Sequence, residues 1–121
     1  MNKIGIVAVL SLLTVGIFTT GCGNGGSAGV SCDLKTTASH VCATYDYGSL
    51  DPSGAGATAE GMACTASKGT AGTSCPTTAS LGTCTLVTSG ITTSTTFYSD
   101  VGMVTVAAAK MACAAQKGTF K

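Results

Sequence analysis

The hydrophobic and polar positions of this chain form three kinds of pattern. A largely apolar segment covers residues 4–18. Apolar and polar side chains then alternate over residues 41–47, and β-branched residues dominate 83–88 and 91–98, which are separated only by a serine-glycine pair. Alternation with a period of two and β-branched runs predict strands, and the serine-glycine pair between two such runs predicts a hairpin.

Two other segments carry small apolar residues at helical spacing and therefore predict helices. These residues are Ala59, Met62, Ala63 and Ala66 in the first segment, and Val104, Ala108, Met111, Ala112 and Ala115 in the second. We expect each set to face the interior. Gly69 and Gly118 follow the two segments, at the position where a left-handed residue often ends a helix. The sequence Asp-Pro-Ser-Gly at residues 51–54 predicts a turn before the first helix.

The chain also repeats itself. Residues 62–70 and 111–119 are identical at seven of nine positions, and a weaker similarity relates two serine-cysteine pairs, one in each half of the chain. We therefore predict an α+β fold, a small disulfide-stapled domain of two duplicated strand-then-helix units, at about residues 31–73 and 74–121. Helices packed on a small, mainly antiparallel sheet are the expected arrangement.

Six cysteines follow Cys22, and an even number suits three disulfides. They are Cys32, Cys42, Cys64, Cys75, Cys84 and Cys113. Each disulfide would stabilise a domain that has few large apolar side chains by ~2 to 4 kcal/mol. Each unit holds three of these cysteines, so complete pairing requires at least one bridge between the units. One pairing that respects the repeat is Cys42 with Cys64, Cys84 with Cys113, and Cys32 with Cys75.

The net charge and the few possible metal-ligating residues limit which molecules the protein is expected to bind. Beyond residue 21 the chain carries five lysines and five carboxylates, so its net charge is zero. We therefore expect no electrostatic footprint for nucleic acid or for anionic lipid. There is no Cys-x-x-Cys pair, and His40 is the only histidine of the chain. The sequence thus predicts no metal site and no cofactor.

Catalytic groups are hard to find in the sequence. His40 has no nucleophile elbow between a strand and a helix to act on, and we place it on the surface or in a loop. The carboxylates have the pattern of solvated loop and helix-start charges; these are Asp46, Asp51, Glu60 and Asp100. We therefore predict that the protein is not an enzyme. The candidate binding surface is an aromatic cluster, made of Tyr45, Tyr47, Phe97 and Tyr98.

The N-terminus has the three parts of an export signal: a charged start, the apolar segment 4–18, and small residues. Together with the sequence Thr20-Gly21-Cys22, these parts resemble the type II signal peptide of bacterial prolipoproteins. The segment 4–18 is shorter than the ~20 apolar residues that cross a bilayer. An ordinary secretory signal followed by an unrelated cysteine is the alternative.

This resemblance implies a processed and anchored protein. Residues 1–21 would be removed, Cys22 would carry acyl chains such as palmitate, and residues 22–30 would form a Gly-rich leash to the domain 31–121. Gly23 stands where the inner-membrane retention signal of such lipoproteins has aspartate, so the resemblance favours the outer membrane. The partner implied directly is the lipid bilayer, through the acyl chains on Cys22.

The mature part, over about residues 45–120, resembles small Cys-rich proteobacterial lipoproteins without characterised activities. We therefore expect a non-enzymatic envelope component, structural or for assembly, that binds another envelope or extracellular protein and no nucleic acid. The alternative function is a disulfide-rich inhibitor of a lysozyme or protease, which would insert a rigid loop such as residues 49–57 into an active-site cleft.

Overall fold

A computed structural model describes residues 29–121, and it has six strands and two helices. The strands are β1 (Val30–Lys35), β2 (His40–Asp46), β3 (Thr70–Gly72), β4 (Ser80–Thr88), β5 (Ile91–Tyr98) and β6 (Thr119–Phe120); the helices are α1 (Ala55–Ala66) and α2 (Val106–Ala115). The predicted α+β fold is therefore confirmed. The signal peptide 1–21 and the anchor residue Cys22 lie outside the described residues.

All six strands form one sheet, in the order β3-β1-β2-β5-β4-β6. Every pairing in it is antiparallel, as expected. The predicted hairpin is β4 and β5, and the two residues between them, Ser89 and Gly90, have φ of 52° and 82°. Positive φ at both central residues is characteristic of a type I′ turn, whose twist matches that of the two strands it joins. The predicted turn at residues 51–54 also forms, with the Gly54 N–H donating to the Asp51 carbonyl at 3.2 Å.

Both helices lie on the same face of the sheet. The helix α1 packs on β1 and β3, and α2 packs on β4 and β6. Residues that lie opposite one another on neighbouring strands form a row across β1, β2, β5 and β4. This row contains Cys32, Ala43, Thr95 and Cys84. Because Cys32 and Cys84 belong to the same row, the disulfides that join them to the two helices leave the sheet on one side. The other face of the sheet carries no helix within residues 29–121.

The structure contains three disulfides, Cys32–Cys64, Cys42–Cys75 and Cys84–Cys113. The predicted Cys84–Cys113 bond is confirmed, whereas Cys42–Cys64 and Cys32–Cys75 are wrong. The reason is the register of β1 and β2: Cys42 lies opposite Asp33, one position away from the Cys32 row. Its side chain therefore points to the helix-free face and cannot reach α1. The Cys42–Cys75 bond does join the two predicted units.

The predicted buried face is wrong for α1 and only partly right for the second helical segment, where Val104 is buried and Ala112 packs against the core. Met62 and Met111 are each 67% exposed, and the buried residues of the two helices are Gly56 and Cys64 in α1 and Ala109 and Cys113 in α2. Each helix is rotated so that its cysteine faces the sheet. Because the other apolar side chains are mostly alanines, which bury little area on any side, the disulfide determines the rotation.

The predicted left-handed glycines are also wrong by one residue. Lys68 and Lys117 adopt the left-handed conformation, with φ of 61° and 60°. Gly69 and Gly118 are needed for a different reason, which is close packing. A Cβ on Gly69 would lie 2.8 Å from the Cys64 sulfur, and one on Gly118 would lie 2.6 Å from the Cys84 sulfur. Each glycine therefore lets the chain pass directly against a disulfide.

The core between helices and sheet has two parts, one at each end of the helix-covered face. One part contains Val41, Cys84, Phe97, Ala109 and Cys113, with Leu34, Leu81, Ala112 and Phe120 packed against it. The other contains Val30, Ala43, Tyr45, Tyr47 and Ile91, with Ala57. The thin core predicted from composition is thus built largely from aromatic rings and cystines.

Candidate functional site

The four predicted binding aromatics are core residues. Tyr45, Tyr47, Phe97 and Tyr98 are each at most 5% exposed. Tyr45 and Phe97 belong to the two parts of the helix-side core, and Tyr98 is buried on the opposite face. Side chains buried to this extent cannot contact a partner, so the structure removes the aromatic cluster as a candidate binding surface.

His40 is the centre of a polar cluster that the sequence did not predict. Its Nδ1 lies 2.7 Å from Asp100 Oδ1 and its Nε2 lies 2.6 Å from Asp33 Oδ1. The imidazole also stacks on the Tyr98 ring, with 4.1 Å between the ring centroids. Lys35 completes the cluster with an ion pair of 2.7 Å to Asp100 Oδ2. Instead of a surface or loop position, His40 has a buried position at the start of β2.

Both ring nitrogens of His40 face carboxylate oxygens of the cluster. A carboxylate oxygen accepts hydrogen bonds, so each of these contacts is suited to an N–H donor. The hydrogen bonds from Lys35 and then from His40 lower the pKa of Asp100 to about 2. Since both nitrogens of His40 are engaged, neither is free to take a proton from a nucleophile or to bind a metal.

A second polar cluster lies at the start of α1. The Tyr47 hydroxyl donates to Glu60 Oε1 at 3.2 Å, and Asp51 Oδ2 accepts the Ala57 N–H at 3.0 Å. Burial raises the pKa of Glu60, although the bond from Tyr47 opposes this. Burial also acts to raise the pKa of Asp51, but the helix N–H groups outweigh it and lower the pKa overall. These contacts cap the helix and close the core.

The segment between β3 and β4, residues 73–79, crosses the helix-free face of the sheet. The Cys42–Cys75 disulfide holds it. In addition, the Ser31 hydroxyl donates to the Ser74 carbonyl at 3.1 Å, and the Tyr98 hydroxyl donates to the Pro76 carbonyl at 2.6 Å. The segment therefore covers the part of this face that lies over β1, β2 and the end of β5.

On β4, β5 and β6, the helix-free face carries many hydroxyl groups. Thr85 lies opposite both Thr119 and Ser94, and Thr83 lies opposite Thr96, with their hydroxyl oxygens 3.0 Å apart. The Thr83–Thr96 and Thr85–Ser94 hydroxyl pairs lie within hydrogen-bond distance, and such cross-strand pairs stabilise the sheet.

Lysines and carboxylates are unevenly distributed between the two faces of the sheet, although the net charge is zero. Lys68, Lys110 and Lys117 are exposed and belong to the helices or to the turns that end them. Strand alternation puts Asp33 and Asp46 on the opposite face, and Asp100 joins Asp33 there through His40. The helix side also carries the carboxylates Asp51 and Glu60, and Lys35 lies on the helix-free face, paired with Asp100.

Comparisons with protein-family models, with curated proteins and with solved structures found no match for this chain. Within residues 29–121, neither helix is long and apolar enough to cross a membrane. The same part of the chain contains no group of three or more side chains that could hold a metal ion. A Gly-x-Ser-x-Gly pattern occurs at residues 25–29, but β1 follows it, whereas a nucleophile elbow requires a following helix.

Proposed function

We propose that this chain is a membrane-anchored envelope lipoprotein whose disulfide-stapled domain binds another envelope or extracellular protein without catalysis. The observation that carries the proposal is the state of the cysteines. All six cysteines after Cys22 are paired with one another, so Cys22 has no partner left within its own chain. Its thiol is available for acyl transfer, in the sequence setting that resembles a lipoprotein signal.

Compartment chemistry supports the same proposal. Disulfides persist in the oxidising space outside the cytoplasm and are rare within it. The exported domain begins with β1 at Val30, so residues 22–29 remain as the connection between a lipidated Cys22 and the first strand. Outer-membrane placement follows from Gly23, which stands where a retention signal has aspartate.

Metabolic labelling with a palmitate analogue tests the anchor. The native chain should take up the label and should partition into the detergent phase of a Triton X-114 extraction. A Cys22→Ser variant should do neither, whereas Ser27→Ala, a change in the same Gly-rich segment, should do both. Label on the Cys22→Ser variant, or none on the native chain, would refute the lipoprotein assignment.

The internal repeat is part of the proposal: the domain consists of two copies of a strand-strand-helix-strand unit. Support comes from equivalent contacts in the two halves. Cys32–Cys64 joins the first strand to the helix in one half, and Cys84–Cys113 does so in the other. By this correspondence Cys84 matches Cys32, whereas the weaker sequence similarity had matched Cys32 with Cys75.

The non-enzymatic role is supported by His40. The only imidazole of the chain is buried and bonded to carboxylates through both nitrogens, which suits a structural cross-link. Chemical cross-linking in intact cells, followed by affinity purification of the lipoprotein, tests the binding role. A stoichiometric envelope protein is expected, and recovery of the lipoprotein alone would contradict a binding function.

The alternative function, inhibition of a lysozyme or protease, is favoured by one observation. Leu50 is 54% exposed at the end of a short 3-10 helix (Gly48–Leu50), directly before Asp51, which is buried and anchored to α1. An exposed apolar side chain on a fixed loop suits insertion into a cleft. In the same purification, a stoichiometric hydrolase that loses activity with the native protein and not with Leu50→Asp would support inhibition.

A further inference from the structure

The outward sides of both helices carry exposed apolar side chains. Met62 and Met111, equivalent residues of the sequence repeat, are each 67% exposed. Exposed alanines lie beside them, Ala55, Ala59 and Ala66 in α1 and Ala107 and Ala114 in α2, and Thr58 and Thr65 of α1 are exposed there as well. A helix on the surface of a soluble domain normally has polar side chains on its outer side. Both helices therefore present to solvent a surface that is suited to an apolar environment.

The helix layer consists of α1, α2 and the turns that end them. Its exposed charged side chains are lysines. Lys68, Lys110 and Lys117 are all exposed. The carboxylates of the layer are engaged in contacts within the domain: Asp51 is buried against the first turn of α1, and Glu60 accepts the bond from Tyr47. The outer surface of the helices thus combines apolar side chains with lysines, without a free carboxylate on either helix.

We propose that the helix layer docks on the surface of a bilayer that contains anionic phospholipid. This inference rests on the proposed anchor at Cys22, because an anchored domain stays next to the membrane. Eight residues, 22–29, separate the anchor from β1 and span at most ~28 Å when fully extended. Methionine side chains can enter the boundary between headgroups and acyl chains, while lysines contact the phosphates.

The charge pattern favours a bilayer over a second copy of the chain as the occupant. If two copies packed through their helix layers, the three exposed lysines of one copy would approach those of the other. Like charges facing each other across an interface oppose association. An anionic surface turns the same three charges into an attraction, because its potential draws in each nearby lysine. The apolar stripe and the lysines are therefore satisfied together only at the membrane.

Vesicle flotation of an unlipidated chain tests this docking independently of the anchor. The protein is residues 22–121 with Cys22→Ser, folded with its three disulfides, mixed with vesicles of phosphatidylcholine alone or with added phosphatidylglycerol. We expect binding to the anionic vesicles that weakens with added salt, and several-fold weaker binding to the neutral ones. The double variant Met62→Gln, Met111→Gln should lower the partition coefficient by about tenfold, and Lys110→Gln by about fivefold.

The matched control is Val87→Gln. Val87 is 65% exposed, almost as much as the two methionines, but strand alternation puts it on the helix-free face. The control should bind anionic vesicles as the parent does. Equal loss in the control and in the methionine variant would overturn the proposal, as would an absence of binding to anionic vesicles. Dimerisation without lipid that the methionine variant abolishes would also overturn it, in favour of a second copy. Failure of any of these tests leaves the labelling test of Cys22 unaffected.

Discussion

The two halves of the domain, residues 30–72 and 80–120, end their helices in the same way but begin them differently. At the end of each helix, a cysteine is bonded to the first strand of its half, a left-handed lysine follows, and a glycine then packs against the disulfide. At the start, α1 relies on Asp51, which reaches forward to the Ala57 N–H, whereas Thr105 caps α2 through the Ala108 N–H.

This comparison separates two tasks in a small domain. Joining a helix to the sheet is done by one covalent arrangement that both halves share. Satisfying the free N–H groups at a helix start is done by whichever polar side chain the preceding loop supplies. Mutations in the shared arrangement should therefore lower stability by similar amounts in the two halves, whereas mutations at the two helix starts should not.

The largest effects are expected from the disulfides that attach the helices. The replacements Cys32→Ala with Cys64→Ala, and Cys84→Ala with Cys113→Ala, open loops with similar sequence separations of 32 and 29 residues. Each pair should therefore lower the free energy of unfolding by about 3 to 4 kcal/mol, through the greater entropy of the unfolded chain. Urea unfolding of the two double variants measures this. A large loss for one pair and little for the other would contradict the equivalence of the halves.

Smaller but still equivalent losses are expected at the packed glycines. Gly69→Ala and Gly118→Ala each force a Cβ into contact with a cystine sulfur and should each cost about 2 kcal/mol. The contacts are similarly close, 2.6 Å at Gly118 and 2.8 Å at Gly69, so the two losses should be of similar size.

Gly61→Ala provides the control for these two glycine variants. Gly61 lies within α1, and the closest atom that its Cβ would meet is 3.9 Å away. Alanine there should raise stability by about 0.5 to 1 kcal/mol, because glycine is a poor helix former. Thermal unfolding of the three variants should thus give two losses and one gain, and a gain at Gly69 or Gly118 would exclude close packing as their role.

The helix starts should differ from one another. Thr105→Ala removes a partly solvated cap and should cost about 1 kcal/mol. Asp51→Ala should cost about 2 kcal/mol, because Asp51 is buried and its loss leaves the part-buried Ala57 N–H without its acceptor. Native-state hydrogen exchange at the Ala57 and Ala108 N–H groups, measured together with unfolding, would show whether each loss arises at its own helix start. Equal losses of stability in Thr105→Ala and Asp51→Ala would contradict the view that the two helix starts are capped in different ways.

The smallest expected effect is a change in acid sensitivity at the His40 cluster. The pKa of Asp100 is lowered to about 2 from 3.8, so its contribution to stability is fully present above the unfolded pKa and is lost as the pH falls from about 4 to about 2. Asp100→Asn should be less stable than the native protein at neutral pH and should lose less on acidification. Melting temperatures over this range test the prediction, with Asp46→Asn as the exposed control.

The sequence predicted best what depends on neighbouring residues. The hairpin of β4 and β5 followed from two β-branched runs and a two-residue turn, and both helices lie near their predicted positions. The strand β1 was missed although Val30, Cys32 and Leu34 alternate with polar residues, which is a strand signal. The edge strands β3 and β6 have three and two residues, too few to show any period.

What the sequence could not supply depends on long-range contacts. Without β1, the different faces of Cys32 and Cys42 could not be distinguished, so two disulfides were paired wrongly. Similarly, His40 looked like a surface residue because its partners Asp33 and Asp100 come from β1 and from the loop after β5. The rotation of α1 and α2 was mispredicted because methionine at helical spacing indicates a buried face, whereas here the cystines turn Met62 and Met111 outward.

Mass spectrometry of the protein isolated from its native membrane fraction, with and without reduction, tests the central claim most directly. An anchored three-disulfide lipoprotein should begin at Cys22 with a diacylglyceryl modification and should gain two hydrogens for each of its three disulfides on reduction. A chain that begins at another residue, an unmodified Cys22, or a free thiol at any of the six later cysteines would contradict this account.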